Sequence, residues 1–131
     1  MLEPSIFTRI INGEIPAYKI YEDDKVIAIL DIHPINDGHT LLIPKRQIDH
    51  LWDMEEPDYD YLWKIAHRLG RYIRKVTEAP RVGVIVDGFG VPHAHIHLVP
   101  IYHGNEIQKP QDFNAVVDHE SLAKVAAKLK M

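Results

Sequence analysis

Apolar residues recur along this chain with two different periods, and the changes of period mark its elements. Ser5 is placed to cap a short helix carrying Ile6, Phe7, Ile10 and Ile11, with Gly13 to end it. After Ile15-Pro16, the run Tyr18 to Tyr21 reads as a strand, Glu22-Asp23-Asp24 as a turn, and Lys25 to Asp31 (KVIAILD) as a more buried strand. Pro34, Asn36, Asp37 and Gly38 break the chain before a third strand, His39 to Pro44. From Glu55 to Glu78 the period lengthens: Leu62, Ile65, Ala66, Leu69, Ile73 and Val76 recur at steps of three and four, the stripe of an amphipathic helix. Pro57 is compatible with its first turn, and Pro80 lies beyond its end. Arg81 to Val86 and His93 to Val99 read as the fourth and fifth strands around the turn Asp87 to Pro92. The tail from Pro100 starts irregularly and ends in a helix from about Asp118, with Leu122, Val125, Ala126 and Leu129 on one face.

Short links between neighbouring strands and one long helix predict an α+β fold, a five-stranded antiparallel sheet with the long helix packed on it. The 131 residues suit one domain, with a core over about residues 5–100 and a carboxy-terminal extension over 101–131.

Composition narrows the function classes. Hydrophobic residues make up 46% of the chain, which is ample for a core and excludes a disordered polymer. With no cysteine, a disulfide framework, a Cys-ligated zinc and a thiol nucleophile are excluded. The net charge of −4 argues against a nucleic-acid partner, which would call for a basic stripe. No segment has the unbroken apolar length of a membrane span, and Met1 to Glu14 lacks the layout of a secretory signal, so a cytoplasmic protein is expected. Nine histidines are the anomaly.

They concentrate in Pro92-His93-Ala94-His95-Ile96-His97-Leu98-Val99. Side chains alternate along a strand, so His93, His95 and His97 share one face and Ala94, Ile96 and Leu98 the other, which can pack under the long helix. Alternate side chains stand roughly 6.5 Å apart, so a straight strand cannot bring all three imidazoles to one ion. A metal would need ligands from elsewhere, such as His39, Asp31 or Asp87. The other option is a division of labour among imidazoles for attack, proton transfer and orientation. His50, His67, His103 and His119 carry no such pattern.

His93 through Val99, followed by Pro100, resembles the motif of the histidine-triad (HIT) family. The stretch from Ile6-Phe7 through Ile43-Pro44-Lys45 is similar to the amino-terminal half of its Hint branch, the histidine-triad nucleotide-binding proteins. The resemblance implies a HIT-like fold and a hydrolase or transferase that cleaves at the α-phosphate of a nucleoside monophosphate derivative. The substrate classes implied are a phosphoramidate, a dinucleoside polyphosphate or an acyl nucleotide, with a purine, AMP-like nucleotide as ligand. By position His95 would be the nucleophile of a covalent nucleotidyl-histidine intermediate. His97 would stabilise charge and assist the leaving group, His93 would orient the cluster, and His39 matches the family's fourth histidine. Asp31 matches the acidic residue that accepts the ribose hydroxyls, and Phe7, Ile10, Ile29, Leu30 and Ile32 match apolar positions around the base. No cofactor and no metal is expected. A homodimer is, with Tyr59 and Trp63 as candidate anchors.

The chain departs from the family pattern in the loop before the triad, which is shortened to Asp87-Gly88-Phe89-Gly90-Val91-Pro92. Asp87 replaces the customary Asn, Phe89 the Gln and Gly90 the hydroxyl residue, while Gly88 and Gly90 can still offer backbone N–H groups to a phosphate, and Asp87 and Val91 are counted with them as nucleotide-binding positions. The tail beyond Tyr102 also differs from the short Hint terminus. Two other readings therefore stand beside the hydrolase: a nucleotide-binding or sensing module with little catalysis, and a metal-dependent phosphohydrolase.

Overall fold

The computed structural model describes residues 3–131; Met1 and Leu2, the start of the amino-terminal stretch, lie outside the described residues. Helix α1 (Ile6–Ile11) is capped by Ser5, whose hydroxyl accepts from the Thr8 N–H, satisfying one of the donors a helix start leaves unpaired. Strands β1 (Lys19–Glu22), β2 (Val26–Leu30) and β3 (Thr40–Pro44) form an antiparallel meander. Helix α2 (Glu56–Thr77) follows, then β4 (Arg81–Ile85), β5 (Ile96–Ile101) and α3 (His119–Leu129). Short 3-10 turns at Leu51–Asp53 and Glu106–Gln108 carry no signal in the hydrophobic period. The five strands lie in the order β1-β2-β3-β5-β4, all pairs antiparallel. Among the described residues no helix is long and apolar enough to cross a membrane.

Each face of the sheet has its own core. On one, Leu62, Ile65, Ala66, Leu69 and Ile73 of α2 pack with Val26, Ala28, Leu30, Leu42, Ile96 and Leu98, joined by Leu122 and Leu129 of α3. On the other, Phe7 and Ile10 of α1 pack with Ile27, Ile29, Leu41 and Ile43. This is why every residue of β2 and β3 is buried and why their sequences are nearly unbroken apolar runs. Helix α2 ends at Glu78, which takes a left-handed φ of 59° that stops the hydrogen-bond ladder.

The fifth strand differs from the expectation. It begins at Ile96, not His93, because its ladder to β3 runs only from Ile96 to Leu98. Further back, the Ala94 N–H turns to the Ile48 carbonyl at 2.6 Å. It also continues through Pro100, which pairs with Val82 of β4. The missing N–H of Pro100 costs no ladder bond, since the β3 pairing has already ended at Leu98 and the Asn36 side chain donates to the Pro100 carbonyl at 2.8 Å. Gly38 comes close to this proline: with φ at +97°, an added Cβ would lie 3.1 Å from Pro100 Cγ.

Leu69 is fully buried midway along α2. Leu69→Ala is expected to lower unfolding free energy by about 2–5 kcal/mol, through lost burial plus a residual cavity. Urea denaturation monitored by circular dichroism reads that directly.

Candidate active site

Strand register assembles the site. Ile29 lies opposite Leu41, and Leu41 opposite His97, so one face carries all three. One step beyond β2 and β3 on that face, Asp31 meets His39, with the Asp31 N–H donating to the His39 carbonyl at 2.9 Å. His39 is then a diagonal neighbour of His97, with ring centroids 5.1 Å apart. His95 stands one alternate position before His97, at a centroid distance of 5.0 Å. Phe7 on α1 closes the far side, its ring edge-on to His95 at 5.0 Å and to His93 at 5.7 Å.

Backbone partners dictate the tautomers. The Ile35 N–H donates to His39 Nδ1 at 3.0 Å, so a neutral His39 carries its proton on Nε2. That Nε2–H donates to His97 Nδ1 at 2.9 Å, which puts the His97 proton on its own Nε2. His95 Nδ1–H donates to the His93 carbonyl at 2.7 Å, leaving His95 Nε2 as a bare lone pair. His93 Nε2–H donates to the Pro44 carbonyl at 2.7 Å, so its Nδ1 accepts from the Ser5 hydroxyl, also at 2.7 Å. A lone pair on His95 and an N–H on His97 thus stand side by side, while His39 and His93 have both ring nitrogens engaged.

Burial favours these neutral forms. It holds the His97 pKa at about 4, and positive charge on His39 or His95 would push in the same direction, against the pull of Asp31. Burial lowers His39 as well, opposed by the Asp31 charge, and lowers His93, opposed by its bond to the Pro44 carbonyl. Asp31 Oδ2 sits 3.6 Å from His39 Nε2, too long for a good hydrogen bond, so it acts mainly through its charge.

Ser5 reads in the sequence only as a helix cap, and Thr8 and Gln47 carry no local motif, yet Ser5 bonds His93 and the other two brace Ser5 and α1. Gln47 Oε1 accepts from the Ser5 N–H at 3.0 Å and from the Thr8 hydroxyl at 2.7 Å, clamping α1 to the segment after β3. The apolar candidates divide between the two faces. Phe7, Ile10, Ile29 and Val91 lie on the histidine side. Leu30 does not: alternation turns it into the core beneath α2, which corrects its expected place around the base. Ile32, past the end of β2, is 44% exposed. Asp87, Gly88 and Gly90 are on an exposed loop in which Gly88 adopts φ +84°.

Asp31, His39 and His97 each offer one ligand atom, all within 4.8 Å of one another, and could hold a metal ion. Two nitrogens on one tetrahedral zinc, with bonds of about 2.0–2.1 Å, stand roughly 3.4 Å apart. The 2.9 Å between His39 Nε2 and His97 Nδ1 is a hydrogen-bond length, so ligation would require the rings to separate.

Because His39, His93 and His97 are held below their ordinary pKa, the unfolded chain binds more protons than the folded one as pH drops below about 6.5. Their contribution is present above that pH and is lost as pH falls toward the folded values. The carboxylates with lowered pKa, such as Glu22 and Asp23, titrate only lower down. Unfolding free energies from urea titrations should therefore fall as pH drops from 6.5 to 5, with a slope of at most about 1.4 kcal/mol per pH unit for each histidine. A flat profile over that window would contradict the neutral, buried assignment.

Comparison with known proteins bears on the family and the fold. The HIT domain model matches residues 12–104. An uncharacterized HIT-like protein of Borreliella burgdorferi is 35% identical over 102 residues, covering 72% of this chain and 73% of the relative. The adenylylsulfatase HINT3 of Arabidopsis thaliana is 32% identical over 100 residues, covering 72% of this chain and about half of that longer protein (51%). The crystal structure of a hypothetical histidine triad nucleotide-binding protein from Sulfolobus tokodaii superposes with a TM-score of 0.82 at 28% identity, covering 94% of this chain and 87% of that one. The chain belongs to the HIT family.

Proposed function

We propose that this protein is a nucleotidyl hydrolase or transferase acting at the α-phosphate of purine nucleoside monophosphate derivatives: phosphoramidates, dinucleoside polyphosphates or acyl nucleotides. The observation that carries the reading is the bond from His95 Nδ1–H to the His93 carbonyl, which leaves Nε2 unprotonated and able to attack. In the first step His95 Nε2 forms a bond to phosphorus and the bond to the leaving group breaks; His97 Nε2–H donates a hydrogen bond to the bridging atom as charge develops there, and the departing group takes its proton from solvent water. In the second, water attacks phosphorus, the phosphorus–nitrogen bond breaks to restore the His95 lone pair, and the water's proton returns to solvent. His39 holds the His97 tautomer through its Nε2–H, and His93 supplies the carbonyl that holds His95. Adenylylsulfatase activity in a relative is chemistry of this type, since it also concerns a leaving group on an adenylyl phosphate.

In this reading Asp31 accepts hydroxyls of the ribose, and Phe7, Ile10, Ile29 and Val91 line the base, with Ile32 at the rim. The N–H groups of Gly88 and Gly90 face the phosphate, while the exposed Asp87 keeps its carboxylate in solvent. A homodimer is part of the proposal. Strand β4 is a sheet edge, and beside it a groove of about 1340 Å³ is lined by Trp63, Ala66 and Gly70 of α2 with Val82 and Val84. Tyr59 and Trp63 stack edge-on within the chain at 6.2 Å, so Tyr59 serves intramolecular packing first.

A second reading, a nucleotide-binding module with little catalysis, draws on Gly90, which by the family resemblance replaces a hydroxyl residue that could donate to the leaving group. Rapid-quench mass spectrometry with adenosine 5′-phosphoramidate separates the two. The hydrolase reading expects a nucleotidyl adduct in the wild type and none in His95→Ala, with turnover lower by at least about a thousandfold and AMP affinity within about threefold. Undiminished turnover in the variant would sink it. An absent adduct in wild type, with AMP still bound, would favour the module. Dialysis against a chelator is expected to leave turnover unchanged; its loss, and restoration by a divalent ion, would point instead to Asp31, His39 and His97 as metal ligands.

A further inference from the structure

Asp31 is not free to turn. Its Oδ1 accepts from the His33 N–H at 2.8 Å, and its Oδ2 accepts from Gln111 Nε2 at 3.0 Å. Gln111 comes from the carboxy-terminal extension, 80 positions along the chain. Its second amide hydrogen goes to the His33 carbonyl at 2.8 Å. Both of those partners are acceptors, so the side-chain amide can sit only one way round.

The segment that delivers Gln111 is pinned on both sides. Before it, Glu106 is buried and accepts from the N–H groups of Tyr102, His103 and Gly104 and from Asn36 Nδ2, which holds its pKa down to about 2 as a fixed anion. Asn36 belongs to the same β2–β3 loop as His33, so this bond ties the extension to the site's own loop. Ile107 covers Gly83 of β4 so closely that a Cβ there would lie 2.3 Å from its Cδ1. After Gln111, Phe113 packs edge-on against His33 at 5.7 Å, and α3 is anchored by Leu122 and Leu129 in the core.

We infer that Gln111 is a positioning residue for ribose recognition: it holds the Asp31 carboxylate so that each oxygen keeps a lone pair for one hydroxyl of a vicinal diol. This rests on the reading of Asp31 as the ribose acceptor. Each carboxylate oxygen has two acceptor sites, and His33 and Gln111 consume one on each. What is left is a two-pronged acceptor of fixed orientation, matched to two adjacent hydroxyls and mismatched to one. The extension therefore contributes in cis to sugar selection, although it lies outside the triad strand and its neighbour.

The test is a double-mutant cycle of Gln111→Ala and Asp31→Asn, measuring binding of AMP and of 2′-deoxy-AMP by calorimetry and, with the matching phosphoramidates, kcat and KM. Gln111→Ala is expected to weaken AMP binding roughly tenfold and 2′-deoxy-AMP binding much less, raising KM rather than lowering kcat. In the Asp31→Asn background it should have no further effect on the ratio. Gln111→Glu, which sets a carboxylate against Asp31, should weaken both ligands more than Gln111→Ala does. Equal losses for ribose and deoxyribose ligands, equal losses in both Asp31 backgrounds, or tighter AMP binding in Gln111→Ala would each overturn the inference. The outcomes also separate it from the parent reading. AMP binding without a nucleotidyl adduct defeats the His95 mechanism and leaves the Gln111 comparison valid. A wild-type chain that binds neither nucleotide defeats both.

Discussion

The register of three central strands is the constraint on which the site depends. Antiparallel pairing sets Leu30 against Thr40 and Thr40 against Leu98, which turns Asp31, His39 and His97 to the same face. A slip of one residue in either ladder would turn one member of that set to the opposite face from the other two. Two cores hold the register, one on each face, because β2 and β3 bury apolar side chains both ways. Packing that stabilises the fold therefore also keeps the polar row together.

Within that row the order of hydrogen bonds is set by groups that can act in one direction only. A backbone N–H at Ile35 starts the chain through His39 to His97, and a backbone carbonyl at His93 takes the proton of His95 Nδ1. Main-chain donors and acceptors do not titrate, so they fix tautomers more firmly than side-chain partners would. Burial adds to this by disfavouring the charged imidazole at His39, His93 and His97. The result is a cluster whose proton positions follow from the fold.

The extension changes how the molecule is divided. A sequence reading separates the core from a tail beginning at residue 101, yet Glu106, Ile107, Gln111 and Phe113 all touch the sheet or the β2–β3 loop. Those contacts rest on one buried carboxylate gathering three backbone N–H groups and on two leucines of α3 in the main core. Sequence periodicity registers the leucines. It has no signature for a glutamine that crosses 80 positions to reach an aspartate.

Local chemistry was enough to reveal the long helix, the strand order of the meander and the alternation that puts three histidines on one side and Ala94, Ile96 and Leu98 on the other. These follow from side-chain period and turn residues, which act over a few positions. The start of β5 at Ile96, the clamp of Ser5, Thr8 and Gln47 on His93, and the hold of Gln111 on Asp31 were not legible that way. Each depends on which distant backbone or side chain arrives alongside, and that is decided when sheet, helices and extension pack. The amino-acid sequence by itself determined that imidazoles would line one face. Tertiary structure decided which of their nitrogens carry protons and how Asp31 is aimed, because hydrogen-bond partners are chosen by proximity in space.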